Sequence, residues 1–214
     1  MNVSILGTGN MGRAIATRFL EGGNSVTFFS REAEKASAAI RELTQYAKSG
    51  AGIKSAALGS PITDPVVINT IWYPACLDVL HKYGSQLSGK ILVDITNPVN
   101  ETYDDLVTPP GTSAAEEIAK VLPQDVKVLK AFNTTFAGIL SQGNVAGLPA
   151  DVFVAGDDEQ AKATLATLIE KGGLRAVDMG PLRRARLVES LGLLNIIIQA
   201  KLEKPWMSGI KVLG

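Results

Sequence analysis

The stretch SILGTGNMGRAI (Ser4–Ile15) leads from an apolar strand-forming segment through three glycines into a helix-forming one. Gly7, Gly9 and Gly12 have the G-x-G-x-x-G spacing of a strand-to-helix turn that holds a dinucleotide. The spacing alone would say little; its place, directly after the first strand and at the opening of a helix, makes it informative. In such a turn Gly7 permits the tight bend. Gly9 lets the backbone approach a pyrophosphate with no Cβ between them, and Gly12 lets the helix pack close to the strand. The N–H groups of Thr8, Gly9, Asn10 and Met11 then face phosphates at the positive end of the helix. The plain alternative is a glycine-rich turn that binds nothing.

Outward from this turn, short β-branched runs alternate with helical patterns, the mark of a mainly parallel sheet with crossover helices. Strands are expected near Val3–Leu6, Ser25–Phe29, Val66–Asn69, Ile91–Asp94, Val126–Lys130, Asp151–Ala155 and Leu174–Val177. A further strand at Ile53–Ala56 is marked only faintly within SGAGIKSAALGS (Ser49–Ser60). Helices are expected over Met11–Leu20, Glu32–Lys48 and the segment that begins at Asp157 and stops at Gly172–Gly173. Past Gly180 comes one long apolar helix, RLVESLGLLNIIIQAKL, which Pro205 should end. The fold class is therefore α/β: a Rossmann-type doubly wound, mainly parallel sheet with a short C-terminal helical segment closing the cleft. Residues 1–178 form the dinucleotide-binding domain and residues 179–214 the helical segment that completes the pocket for a second substrate.

Composition narrows the chemistry. The 214 residues hold 21 Lys plus Arg against 21 Asp plus Glu, a balance that points to neither nucleic acid nor an anionic membrane. One cysteine, Cys76, and one histidine, His81, exclude a disulfide framework and leave little for a metal site. The opening MNVSILG is too short an apolar run for a signal peptide, and no later run reaches the roughly 18 apolar residues of a membrane span. A cytoplasmic protein with a small-molecule partner is expected.

The second strand ends in TFFSREAEK (Thr27–Lys35). An acidic residue at this place, about 20 residues beyond the glycines, would accept the ribose hydroxyls of NAD and repel a 2′-phosphate. Here Ser30 and Arg31 stand instead. Arg31 offers a planar fork of donors, Ser30 a short hydroxyl, and Lys35 a second positive charge one helical turn on. The ligand expected is NADP(H). Against this stands the ordinary reading of Arg31, Glu32, Glu34 and Lys35 as a solvated helix start.

Three more strand ends should line the cleft. NTIWYPA (Asn69–Ala75) brings Thr70 and Ile71; Trp72 and Tyr73 either pack against the ligand or cap the core. VDITNPVN (Val93–Asn100) turns at Asn97–Pro98, where backbone carbonyls and the Asn97 amide can fix a nicotinamide carboxamide. KAFNTTFAG (Lys130–Gly138) ends with Asn133, Thr134 and Thr135, hydrogen-bonding groups with no acid or base among them, and leads to Ala137. Hydride passage between two stacked rings, held roughly 3–3.5 Å apart, needs little acid–base help.

These motifs resemble the coenzyme F420-dependent NADP oxidoreductase family and the related reductase domains of the STEAP metalloreductases, over almost the whole length. GPLRRARLVESLGLLN (Gly180–Asn195) is similar to the family's G-P-L-x-x-x-R-L-V-E-S-L block, and GIKVLG (Gly209–Gly214) to its closing segment. The resemblance implies that Thr8, Gly9, Asn10, Met11, Ser30, Arg31 and Lys35 bind NADP, and that Ile71, Asn97 and Ala137 lie near the nicotinamide. It further implies hydride transfer between C4 of the nicotinamide and C5 of a deazaflavin, the C-terminal tail forming part of the second pocket. The archaeal F420 enzymes carry a histidine where this chain has Asn133; the resulting FNT is similar to the metalloreductase branch, so FMN or FAD stands beside F420 as second cofactor.

Some residues carry duller expectations. His81 belongs on a helix surface, and Cys76 in the core. Arg183, Arg184 and Arg186 form a solvated helix start, Arg186 being the one to favour if one recognises an anion. Leu187, Leu191, Leu194 and Ile198 make an apolar stripe, either core or the seam of a homodimer. The favoured function is an NADPH-dependent oxidoreductase with a flavin-like hydride acceptor and no protein acid or base in catalysis. A non-enzymatic NADPH sensor remains open. So does a small-molecule dehydrogenase or imine reductase related to pyrroline-5-carboxylate reductase, although that type needs a longer helical domain after the sheet.

Overall fold

In the computed structural model, residues 1–48, 50–203 and 206–213 are described. Ser49, the expected helix stop Pro205 with its neighbour Lys204, and Gly214 of the closing block lie outside them. The apolar runs become β1 (Asn2–Leu6), β2 (Ser25–Ser30), β3 (Ile53–Ala57), β4 (Val66–Asn69), β5 (Ile91–Asp94), β6 (Lys127–Lys130), the two-residue pair β7 (Asn144–Val145) and β8 (Leu148–Pro149), then β9 (Asp151–Gly156) and β10 (Arg175–Gly180). Between and after them come α1 (Asn10–Glu21), α2 (Ala33–Leu43), α3 (Ala75–Tyr83), α4 (Ala114–Lys120), α5 (Ala137–Gln142), α6 (Glu159–Lys171) and α7 (Ala185–Ile197).

The main sheet runs β10-β9-β6-β5-β4-β1-β2-β3. Strands β1 to β6 are parallel and follow the 3-2-1-4-5-6 order of a dinucleotide-binding sheet. β9 pairs antiparallel with β6, and β10 parallel with β9. The doubly wound, mainly parallel expectation holds.

Helices cover both faces, so strands read as apolar runs with few polar interruptions. One core gathers Val3, Ile5, Phe28 and Ile68 under Phe19 of α1 and Leu165 of α6; the other gathers Leu6, Phe29, Val67 and Leu92 under Leu80 of α3 and Ile118 of α4. Each such side chain contributes about 1.5–3 kcal/mol by leaving water. The faint strand at Ile53 is real and pairs with β2 from Val26 to Ser30.

Three expectations change. The second helix stops at Leu43, and Thr44–Tyr46 tightens into a turn. Thr44 Oγ1 donates back to the Ile40 carbonyl at 2.7 Å, a side-chain bond that competes with the backbone's own. The last long helix stops at Ile197, with Ile198–Lys201 in a tighter turn. Its apolar stripe is also not core: Leu187 is 63% and Leu194 54% exposed, while Ala185, Val188, Glu189, Gly192 and Asn195 form the buried face. A further helix, α4, begins with a Ser113 cap: its hydroxyl accepts from the Glu116 N–H and donates to the Glu116 carboxylate.

Because β9 and β10 run opposite to β1–β6, they begin at the end of the sheet where those strands finish. There the C-terminal tail returns: Phe136 N–H donates to Ser208, and Thr135 pairs with Gly209. Buried Asp151 anchors it, accepting from Arg175 Nε at 2.7 Å, Lys211 Nζ at 2.6 Å and Val212 N–H at 2.9 Å. Burial works to raise the Asp151 carboxyl; these donors outweigh it and hold it at about 2. A depressed carboxyl contributes stability that is present above its unfolded value of 3.8 and is lost as pH falls toward 2, here roughly 2 kcal/mol. Asp151→Asn should therefore lower the urea midpoint at neutral pH and flatten its decline below about pH 4; an acid decline parallel to wild type would show that Asp151 is not the anchor.

Candidate functional site

The glycine turn is shaped as its spacing suggests. Gly7 has φ +111°, and a Cβ there would sit 2.6 Å from Thr70 Oγ1. Its N–H is taken by the Phe29 carbonyl at 2.9 Å. A Cβ on Gly12 would lie 2.7 Å from the Gly7 carbonyl oxygen, so α1 can approach β1 only without one. Gly9 differs: a Cβ there would meet nothing within 4 Å. The space over Gly9 is open, and α1 starts with no side-chain cap and no acid in its first turn. A dinucleotide's phosphates fit such a helix end, which carries about half a positive charge.

Around this turn lies a cavity of about 680 Å³ lined by Gly7, Thr8, Gly9, Ser30, Arg31 and Lys35, so these expected residues meet in one place. Asn10, Met11 and Gly12 follow on α1. The Ser30 hydroxyl accepts from Glu32 N–H at 3.1 Å and shapes the bend into α2. Lys35 pairs with Glu32 at 2.8 Å, but both are more than half exposed, so the pair holds its charge only loosely. Lys82 and Asp78 of α3 line the same cavity. Sequence reasoning passed over Lys82 because only the packing of α3 beside β2 brings it there.

Thr70, Ile71 and Trp72 are shared with a second, slot-like cavity of about 200 Å³ at the ends of β4, β5 and β6. Its lining includes Ile95, Thr96, Asn97 and Asn133 together with the aromatic rings of Tyr103, Phe136 and Trp206. Trp72 is 56% exposed and reaches the cleft, whereas Tyr73 is buried in the core, where burial pushes its phenol up. Trp72 stacks edge-to-face with Tyr103, and Phe136 with Trp206. A third cavity, about 660 Å³, shares Met11, Trp72, Phe136 and Trp206 with the slot and adds Asn10, Arg13 and Ala137. Ala137 thus lines this neighbouring space and not the slot.

The Asn97 amide is not free to take a ligand. Its Nδ2 donates to the Asn133 carbonyl at 2.8 Å, and its Oδ1 accepts from Asn133 Nδ2 at 2.9 Å. The carbonyls of Asn97 and Pro98 accept from Val99 and Val107, and buried Pro98 does not line the slot. Arg186 is likewise committed, binding Glu116 of α4 through two nitrogens at 2.8 and 2.6 Å. His81 is exposed on α3. Cys76 is fully buried, its thiol pushed up to about 12 by burial and then by Asp94. Among the described residues, the slot's lining carries no carboxylate, imidazole, ammonium or guanidinium.

Comparison with known proteins finds relatives over nearly the whole chain. The sequence profile described as NADP oxidoreductase, coenzyme F420-dependent, matches residues 2–98. The F420-dependent NADP reductase of Methanocaldococcus jannaschii is 31% identical over 212 residues, covering 94% of this chain and 93% of that protein. Rat metalloreductase STEAP3 is 32% identical over 191 residues, but the chain spans only 36% of its length. A crystal structure from Arthrobacter sp. FB24, provisionally described as an F420-dependent NADP reductase, superposes with a TM-score of 0.83 at 27% identity and 99% coverage of both chains.

The glycines separate binding from folding. Gly12→Ala should cost about 2 kcal/mol or more through overpacking against the Gly7 carbonyl, and Gly9→Ala less than about 0.5 kcal/mol. Denaturant melts of the two variants check this; equal losses would mean that the turn is not built as described.

Proposed function

Because the chain belongs to the coenzyme F420-dependent NADP oxidoreductase family, we propose that it transfers a hydride between NADPH and a flavin-like second ring, coenzyme F420 or FMN/FAD. The observation that carries this reading is a pair of adjoining cavities. The one at the open, uncapped start of α1 shares Thr70, Ile71 and Trp72 with an aromatic-lined slot that has no charged group in its lining among the described residues.

In this reading the N–H groups of Thr8 to Met11 hold the pyrophosphate, Arg31 with Ser30 and Lys35 holds the 2′-phosphate, and Thr70, Ile71, Asn97 and Asn133 border the nicotinamide. Asn97 and Asn133 act as a mutually bonded wall, and Pro98 supports it from behind. When bound, NADPH supplies the hydride from its nicotinamide C4. The chain's part is to align two rings and exclude water, through Trp72, Tyr103, Phe136 and Trp206. Such positioning is worth several kcal/mol of barrier without proton transfer by the protein. Residues 179–214 complete the second pocket in this reading. Asn133, where the archaeal enzymes have histidine, keeps a flavin in view beside F420.

No helix among the described residues is long and apolar enough to cross a membrane, and we place the protein in the cytoplasm. The outward apolar face of α7, with Leu187, Leu194, Ile197 and Ile198 exposed, supports a homodimer. Sedimentation should return twice the 22.6 kDa chain mass; a monomer would reject it.

Oxidation of NADPH, with NADH as control, should be followed against F420, FMN, FAD and ferric chelate plus flavin in separate reactions. Turnover with a ring acceptor is expected; none with any acceptor would overturn the reading. Arg31→Asp should weaken NADPH binding about tenfold to a hundredfold, since a charge-assisted phosphate contact becomes a repulsion. NADH binding should change little; equal weakening of both would remove Arg31 from the phosphate site.

A further inference from the structure

Behind the slot, and outside the lining of its cavities, three charged residues have no exposed side-chain surface: Asp94, Lys130 and Glu189. Lys130 Nζ donates to Asp94 Oδ2 at 2.5 Å and to the Thr96 carbonyl at 2.7 Å, and pairs with Glu189 Oε1 at 2.8 Å. Glu189 also accepts from the N–H groups of Ala114 and Ala115 at 3.0 and 3.3 Å, at the start of α4. Asp94 accepts from Asn69 Nδ2 at 3.0 Å and from the Thr96 hydroxyl at 2.9 Å. The group therefore joins the ends of β4, β5 and β6 to α4 and α7.

A buried ion pair contributes little net stability, because desolvation offsets its attraction; its directional bonds can instead select one register. Apolar packing would let α7 slide along its axis, while Glu189 ties it to Lys130 and to two N–H groups. One turn on, Gly192 lies against the slot wall, where a Cβ would collide with the Asn97 side-chain oxygen and sit 2.9 Å from Asn133 Nδ2. Val188 O accepts from the same Asn133 Nδ2 at 3.0 Å. Beyond α7, Gln199 Oε1 accepts from the N–H of Trp206, which also lines the slot, at 2.6 Å.

We propose that Glu189 is a positioning residue for the second ring: by fixing α7 on Lys130 and α4, it sets the spacing between the Asn97–Asn133 wall and the Trp206 wall of the slot. The proposal rests on the reading that a flavin-like ring enters this slot. The phosphate turn and Arg31, which in that reading supply the charged grip on NADPH, lie at the ends of β1 and β2, away from α7, and the Asn97–Asn133 pair borders only the nicotinamide ring, so NADPH affinity and acceptor use should separate.

Glu189→Gln tests this, since the amide keeps the size but has one accepting oxygen where the carboxylate has two, so Lys130 or an N–H of α4 loses its partner. Gly192→Ala disturbs the same register from its other contact. For each variant, NADPH affinity is read by fluorescence titration, kcat and KM with the acceptor the wild type uses, and amide exchange over residues 206–213. Expected are NADPH affinity within about twofold of wild type, acceptor KM raised about tenfold, and faster exchange in the tail. Unchanged acceptor KM and tail exchange in both variants, or a parallel loss of NADPH affinity, would overturn the proposal. If the wild type uses no ring acceptor, the reading of the slot fails by that result, and tail exchange alone then decides whether Glu189 sets the wall.

Discussion

The ammonium of Lys130 sits at the end of β6 with no access to water, between the carboxylates of Asp94 and Glu189. Burial works against its charge, and the two carboxylates override that effect and raise its pKa. Removing Lys130 would leave two buried carboxylates without a counter-charge, a loss of about 3–5 kcal/mol. Much of the upper rim of the sheet is arranged around this constraint. Asn69 turns its amide to Asp94, Thr96 gives its hydroxyl to Asp94 and its carbonyl to Lys130, and α4 points its first N–H groups at Glu189.

The same constraint explains why α7 has polar residues inside and leucines outside. An isolated amphipathic helix would turn Leu187, Leu191 and Leu194 inward. Here the surface it must cover presents Lys130 and the Asn97–Asn133 pair, so Glu189, Gly192 and Asn195 face it. Asn195 Nδ2 donates to the Thr134 carbonyl, and Gln199 and Ser208 extend this network into the tail. The leucines left outside form an apolar face suited to a second subunit.

The reversed direction of β9 and β10 has a comparable effect. It places Asp151 at the cleft end of the sheet, where Lys211, Val212 and Arg175 converge on it. The tail is thereby drawn across Thr135 and Phe136, and Trp206 becomes a wall of the slot. The dinucleotide half of the cleft is made by local turn geometry, while its second half needs residues 55 and 61 positions apart in the chain.

Much of this was legible in the residues. The strands, their parallel order, the glycine turn and the grouping of Ser30, Arg31 and Lys35 follow from short-range spacing, because β-branched runs and φ-permissive glycines act within a few residues. Even α4, passed over, had its signal in Ser113 and Glu116. Other features had no local signal. Whether Trp72 or Tyr73 faces the cleft, that Asn97 spends its amide on Asn133, that Arg186 binds Glu116, and that Glu189 is buried on Lys130 all depend on which distant surface a helix or loop meets. The chain's own order therefore determined the sheet and the phosphate-binding turn. Tertiary packing decided the slot and the face α7 turns inward, because a buried charge takes whatever partner the assembled structure brings within hydrogen-bond reach.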